Sequence, residues 1–153
     1  MDYKELTEQI IGSAFRVYNK MGFGFLESVY ERCMRIELEK AGLKVETQKS
    51  ILVRYDEHVV GEFTADLLVG DKIVVELKSV SRLVETHEVQ LVNYLVATGI
   101  PVGLLLNFGE KKVEVKRKVR ELDQKKYNKR NPIHPVNPVK MVFGTFDNQF
   151  HGT

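Results

Sequence analysis

Residues 62–78, EFTADLLVGDKIVVELK, place three charged groups, Asp66, Glu76 and Lys78, inside two runs of otherwise apolar, largely β-branched residues. The runs read as neighbouring strands joined by a turn at Gly70-Asp71. Phe63, Ala65, Leu67 and Val69 form one apolar set and Ile73, Val75 and Leu77 another, and burying both requires them on one side of the sheet. A three-residue loop at 70–72 then sets Asp66 opposite Glu76 and sends Asp66, Glu76 and Lys78 to the other face. A two-residue loop would pair Asp66 with Val75 and break both patterns. A lone Glu-x-Lys reads most simply as an ion pair. Asp66 changes that reading, because two facing carboxylates repel unless a cation or a proton lies between them. Two carboxylates and a lysine are the set that holds a divalent metal and a water against a phosphate.

Working outward, the sequence predicts short extended segments at Lys44–Thr47 and Ile51–Tyr55, a turn at Asp56-Glu57, and a strand from His58 to Val69, giving a β-meander. Before these, Leu6, Ile10, Ile11, Ala14, Val17 and Tyr18 recur at helical spacing over 4–20. A reversal at 21–24 leads to a second helix over 26–41, closed by Gly42, with the apolar stripe Leu26, Val29, Tyr30, Cys33 and Met34. Glu27 falls on the border of that stripe and can reach inward, whereas Glu31, Glu37 and Glu39 read as surface carboxylates.

On the C-terminal side, helical spacing returns over 83–98, with Leu83, His87, Leu91 and Tyr94 along one side, Gln90 beside them, and Gly99 as the stop. His87 reads as a packed or capping histidine, and Tyr30 and Tyr94 as core residues whose hydroxyls reach a polar partner. The run PVGLLLNF over 101–108 reads as a strand buried on both faces and parallel to the Glu76 strand, so that strand, helix and strand form a right-handed crossover. Val113–Lys116 is expected as an edge strand. Residues 1–126 are expected to form one domain and 127–153 a C-terminal tail, flexible or docked through Met141, Val142, Phe143 and Phe146.

The 153 residues, 43% hydrophobic and 29% charged, suit one globular domain with a proper core. No apolar run is long enough to span a bilayer and the N-terminus lacks the order of a signal peptide, so a soluble, cytoplasmic chain without a membrane partner is expected. The single cysteine, Cys33, cannot form an internal disulfide and is read as a small buried residue in a reducing compartment. The net charge of +2 conceals a division: residues 1–110 carry 12 Lys/Arg against 17 Asp/Glu, and residues 111–130 carry 10 against 3. That late basic segment is a candidate contact for a phosphate backbone, with a solvated charged face as the plainer reading.

With these elements placed, the chain resembles the PD-(D/E)XK nuclease-like superfamily, and within it the GxxExxY proteins. The residues that carry the resemblance are GFLESVY at 24–30, Asp66 followed by Glu76-Leu77-Lys78, HEVQLVNYL at 87–95, and GLLLNFG at 103–109. It covers roughly residues 5–118. Each motif alone is weak; four in order on suitable elements are specific. The superfamily's first proline is replaced by Ala65, a departure that affects metal ligation little.

The resemblance implies an α/β fold, a restriction-endonuclease-like αβββαβ core whose central mixed sheet is flanked by helices. It implies a metal-dependent nuclease hydrolysing phosphodiester bonds, with nucleic acid as partner, DNA ahead of RNA, and Mg²⁺ or Mn²⁺ as cofactor. Asp66, Glu76 and the backbone carbonyl of Leu77 would ligate the metal, and Lys78 would orient the attacking water and steady charge on the phosphate. Glu27 would act through a metal-bound water or a second metal position, and Gln90 would hold the lysine, a water or a phosphate oxygen. The alternatives are a catalytically silent nuclease-fold module that binds nucleic acid or a protein partner, and a helper subunit docking through its basic segment and tail. Oligomeric state is left open.

Overall fold

The computed structural model describes residues 1–122 and 139–142. The elements are α1 (Tyr3–Met21), α2 (Glu27–Lys40), β1 (Val45–Tyr55), β2 (His58–Val69), β3 (Ile73–Lys78), α3 (Glu85–Thr98), β4 (Val102–Phe108), β5 (Val113–Leu122) and β6 (Val139–Val142). The strands form one sheet in the order β1-β2-β3-β4-β5-β6, antiparallel throughout except for the parallel pair β3–β4, which α3 connects. This is the α/β, restriction-endonuclease-like arrangement. No helix among the described residues is long and apolar enough to cross a membrane.

Two cores sandwich the sheet. Leu6, Ile10, Ala14 and Val17 of α1 and Tyr30, Met34 and Leu38 of α2 pack on Leu67, Val69, Ile73, Val75, Leu77, Leu104, Leu106 and Phe108. On the opposite face Leu91 and Leu95 of α3 pack on Ala65, Leu68, Val74 and Leu105. Every residue of β4 is buried, as expected of a strand covered on both sides. Gly103 lets α3 approach: a Cβ there would lie 2.8 Å from Leu91 Cδ1 and 3.0 Å from Leu95 Cδ2.

The pairing of β2 with β3 is Leu67↔Val75, Leu68↔Val74 and Val69↔Ile73, the register that a loop over 70–72 requires. The apolar face is less regular than the sequence suggested. Leu67 and Val69 join the α1/α2 core, but Ala65 lies in the α3 core and Phe63 stacks on Tyr94 of α3 at 4.0 Å between ring centroids. Residues two apart on one strand thus face opposite layers, so alternation is interrupted around Asp66. Across from it, Gln48 takes φ 50° and drops out of the β1–β2 pairing between Thr47↔Leu67 and Lys49↔Ala65.

Other differences are local. The two segments expected over 44–55 form the single strand β1, because the disturbance at Gln48 does not end the ladder. Leu26 precedes α2 and is 76% exposed, outside the stripe of Tyr30, Met34 and Leu38. Cys33 is half-buried against the α1/α2 core. β5 runs to Leu122 and is not an edge strand, since β6 pairs beyond it. Of the residues named for tail docking, Met141 and Val142 fall in β6, whereas Phe143 and Phe146 lie outside the described residues.

Candidate active site at the parting of two strands

Beyond Leu67↔Val75 the ladder between β2 and β3 stops, and side chains take over its hydrogen bonds. Asp66 Oδ2 accepts the Leu77 N–H at 2.8 Å, and Glu76 Oε1 accepts the Asp66 N–H at 3.4 Å. The two acids are thereby held side by side at a gap in the sheet. Glu76 is only 8% exposed. Burial pushes its carboxyl up to about 8, and the neighbouring Asp66 charge adds to the rise, while Lys78 opposes it weakly. Near neutral pH burial therefore favours the protonated Glu76 carboxyl. Lys78, two residues on and half-buried, projects from the same face of β3 as Glu76.

Both helical layers reach this gap. From α3, the half-buried Tyr94 stacks on Phe63; burial raises its phenol pKa, and the charges of Glu76 and Asp66 raise it further. The Tyr94 hydroxyl thus lies within electrostatic reach of both acids, a place that its helical spacing alone did not reveal. From α2, Glu31 accepts Gln48 Nε2 at 2.9 Å, and the same nitrogen lies 3.5 Å from Asp66 Oδ1. Burial raises the Glu31 pKa and the Asp66 charge contributes, so Glu31 is not the plain surface carboxylate that its position suggested. Gln48 holds this bridge from a left-handed backbone that non-glycine residues adopt at a cost. No sequence signal marked Gln48, because its role depends on a local break in strand pairing.

The other expected residues lie on α2 and α3. Glu27 is exposed, one turn before Glu31 on α2, and Gln90 is exposed, one turn before Tyr94 on α3. His87 Nδ1 accepts the Val84 N–H at 3.3 Å, a capping role. Tyr30 is fully buried, stacks on Phe108 at 4.2 Å and donates to Gly22 O, which fixes the entry to α2. Phe25, next to that entry, accepts Ser79 Oγ at 2.6 Å through its carbonyl, tying the α1–α2 loop to the residue after Lys78.

The late basic segment is partly committed within the fold. Lys118, 6% exposed, lies 3.2 Å from Glu88 Oε1, and Arg120 Nη1 donates to Leu95 O at 2.7 Å, where it satisfies the C-terminal end of α3. Residues 123–130 lie outside the described residues.

The donor set fits a hard divalent cation: Asp66 and Glu76 each spend one oxygen on a backbone N–H, and each carries a second. Among the described residues no three His, Cys, Asp or Glu side chains converge to hold an ion by themselves. A cation here would draw on the two acids, the Leu77 carbonyl and water.

A family model described as PD-(D/E)XK nuclease superfamily matches residues 4–118. No curated protein matches the sequence. A solved structure, described as the crystal structure of SSO0001, is similar at 21% identity with a TM-score of 0.49, over 81% of this chain and 61% of that one. The chain thus spans about three fifths of the length of that protein.

Proposed function

Since the chain belongs to the PD-(D/E)XK nuclease superfamily, we propose that it is a metal-dependent nuclease that hydrolyses phosphodiester bonds, with DNA as the preferred substrate over RNA. We place it in the GxxExxY group on Gly24, Glu27 and Tyr30, with the cytoplasm as its setting. The observation that carries the reading is the Asp66–Glu76 pair, held side by side where two strands part with Glu76 buried and Asp66 half-buried, and Lys78 on the same face of β3 as Glu76.

Asp66, Glu76 and the Leu77 carbonyl would hold Mg²⁺ or Mn²⁺, which when bound supplies a water nucleophilic at neutral pH and neutralises charge on the phosphate. The remaining work falls to the chain's own groups. Lys78 orients the attacking water and stabilises the negative charge that grows on the phosphate oxygens. Tyr94 donates from the α3 side. Glu27 and Gln90 form the outer walls, meeting a water or a phosphate oxygen once substrate is in place. Glu31 and Gln48 fix the direction of the Asp66 carboxylate.

The test is incubation of purified protein with Mg²⁺ or Mn²⁺ and single- and double-stranded DNA and RNA, resolved on denaturing gels. Wild type should cut, and Asp66→Ala, Glu76→Ala and Lys78→Ala should each lose cleavage. Cleavage that persists unchanged in the two carboxylate variants would refute the assignment.

A further inference from the structure

A cleft of about 420 Å³ opens beside the β3–α3 connection, lined by Ser81, Arg82, Glu110, Lys111, Lys112 and Glu114. One wall is the chain that leaves β3 directly after Lys78, and the other is the turn between β4 and β5. The parallel pairing of Lys78 with Asn107 brings these two exits to the same end of the sheet.

Both walls are fixed by hydrogen bonds. Asn107, fully buried, accepts the Val80 N–H at 3.0 Å and donates to Val80 O at 2.9 Å. The Gly109 N–H reaches Lys112 O at 3.0 Å, and Tyr18 donates to Gly109 O at 2.6 Å. A Cβ on Gly109 would lie 2.8 Å from Lys112 O, so the turn closes this tightly only with glycine there. Glu114 is committed to the same framework: its Oε1 accepts the Leu83 N–H at 3.2 Å and Asn107 Nδ2 at 3.0 Å.

The cations on these walls are not committed. Arg82, Lys111 and Lys112 are exposed, and among the described residues none forms an ion pair. This contrasts with Lys118 and Arg120 of the same basic segment, which are buried against α3. Three exposed cations on rigid walls outnumber the two carboxylates there, the exposed Glu110 and the hydrogen-bonded Glu114, and a polyanion relieves the repulsion among them. Spacing supports such a partner. Arg82 follows Lys78 by four residues, at most about 13 Å of extended chain, or three to four base steps of about 3.4 Å.

We propose that this cleft holds the sugar–phosphate backbone of nucleic acid adjacent to the cleavage position, with Arg82, Lys111 and Lys112 each meeting a phosphate. The inference rests on the nuclease reading for what lies over Lys78, but binding can be measured apart from cutting. The test uses the full chain, a chelator to prevent cleavage, and a short fluorescein-labelled DNA duplex, with affinity read by anisotropy across a salt series. The triple variant Arg82→Ala/Lys111→Ala/Lys112→Ala should weaken binding and lower the slope of log affinity against log salt by about 0.9 for each contact removed. Its melting temperature should stay at the wild-type value, since the walls are held by other groups. The control Lys20→Ala/Lys40→Ala, on the outer surfaces of α1 and α2, should keep the wild-type slope.

An unchanged slope in the triple variant, or an equal loss in the control, overturns the proposal. If wild type cleaves but the triple variant keeps its slope, the cleft inference fails and the nuclease reading stands. If wild type binds with the expected slope dependence and never cuts, the nuclease reading fails and the cleft remains.

Discussion

Glu76→Gln isolates the energetic cost of burying a carboxyl beside Asp66. The glutamine carbonyl can still accept the Asp66 N–H, so the substitution removes a titration and leaves the gap in the sheet filled. In the folded chain the Glu76 carboxyl is raised from 4.5 to about 8, so between those pH values the folded state binds a proton that the unfolded state has released. Stability from this group is therefore fully present below about pH 4.5 and is lost as pH rises through about 8. At about 1.36 kcal/mol per pH unit, the difference between 4.5 and about 8 sets an upper limit of about 5 kcal/mol.

Urea unfolding of wild type and Glu76→Gln in chelator, from about pH 5 to about pH 9, measures it, because the difference between the two curves cancels the other titrating groups. Wild type should lose stability relative to the variant by several kcal/mol across that range and then run parallel to it. In an Asp66→Asn background the difference should shrink but persist, because burial is the larger cause and the Asp66 charge the second. Wild-type and Glu76→Gln curves that remain parallel throughout would refute the argument that the carboxyl is buried and protonated.

Gly103→Ala should destabilise the fold by about 1–3 kcal/mol in guanidinium unfolding, because the added methyl meets Leu91 and Leu95 of α3 at 2.8 and 3.0 Å. Asn107→Leu should cost about 1–3 kcal/mol, since the half-buried Val80 N–H and C=O lose their partners; hydrogen exchange at the Val80 amide should accelerate more than at Leu105. Gln48→Gly should relieve the backbone at φ 50° and leave stability within about 1 kcal/mol of wild type. It should nevertheless weaken Mg²⁺ binding in calorimetry severalfold, because the bridge from Glu31 to Asp66 is gone.

The sequence was most legible where burial leaves little choice. A short apolar run such as PVGLLLNF reads as a covered strand, and the odd-numbered residues of β3, together with Leu67 and Val69, fix one register for the hairpin. That register brought Asp66 opposite Glu76 without help from any motif. The alternation argument failed for Phe63 and Ala65, which face α3, because the strand changes face at the disturbance opposite Gln48. Such a disturbance has no compositional mark: Gln48 is neither glycine nor asparagine, the residues that most readily take a positive φ. Glu31 and Tyr94 were underestimated for a related reason. Helical periodicity gives the angle of a side chain about its own helix, whereas their proximity to the acids depends on where each helix crosses the sheet. Lys118 and Arg120 were weighed by charge alone, although their burial against α3 follows from their place on β5.

Asp66 and Glu76 accept hydrogen bonds from the main chain of the sheet, independently of the ion they would hold under the proposed function. Lys78 is different, since among the described residues its side chain makes no hydrogen bond that the fold requires. Under the proposed function, a lineage released from the need to cut would still be selected to keep Asp66, whose loss orphans the Leu77 amide, but would be free to let the lysine drift. Among descendants of this sequence, the residue at position 78 is thus a better record of occupation than the acids that define the motif.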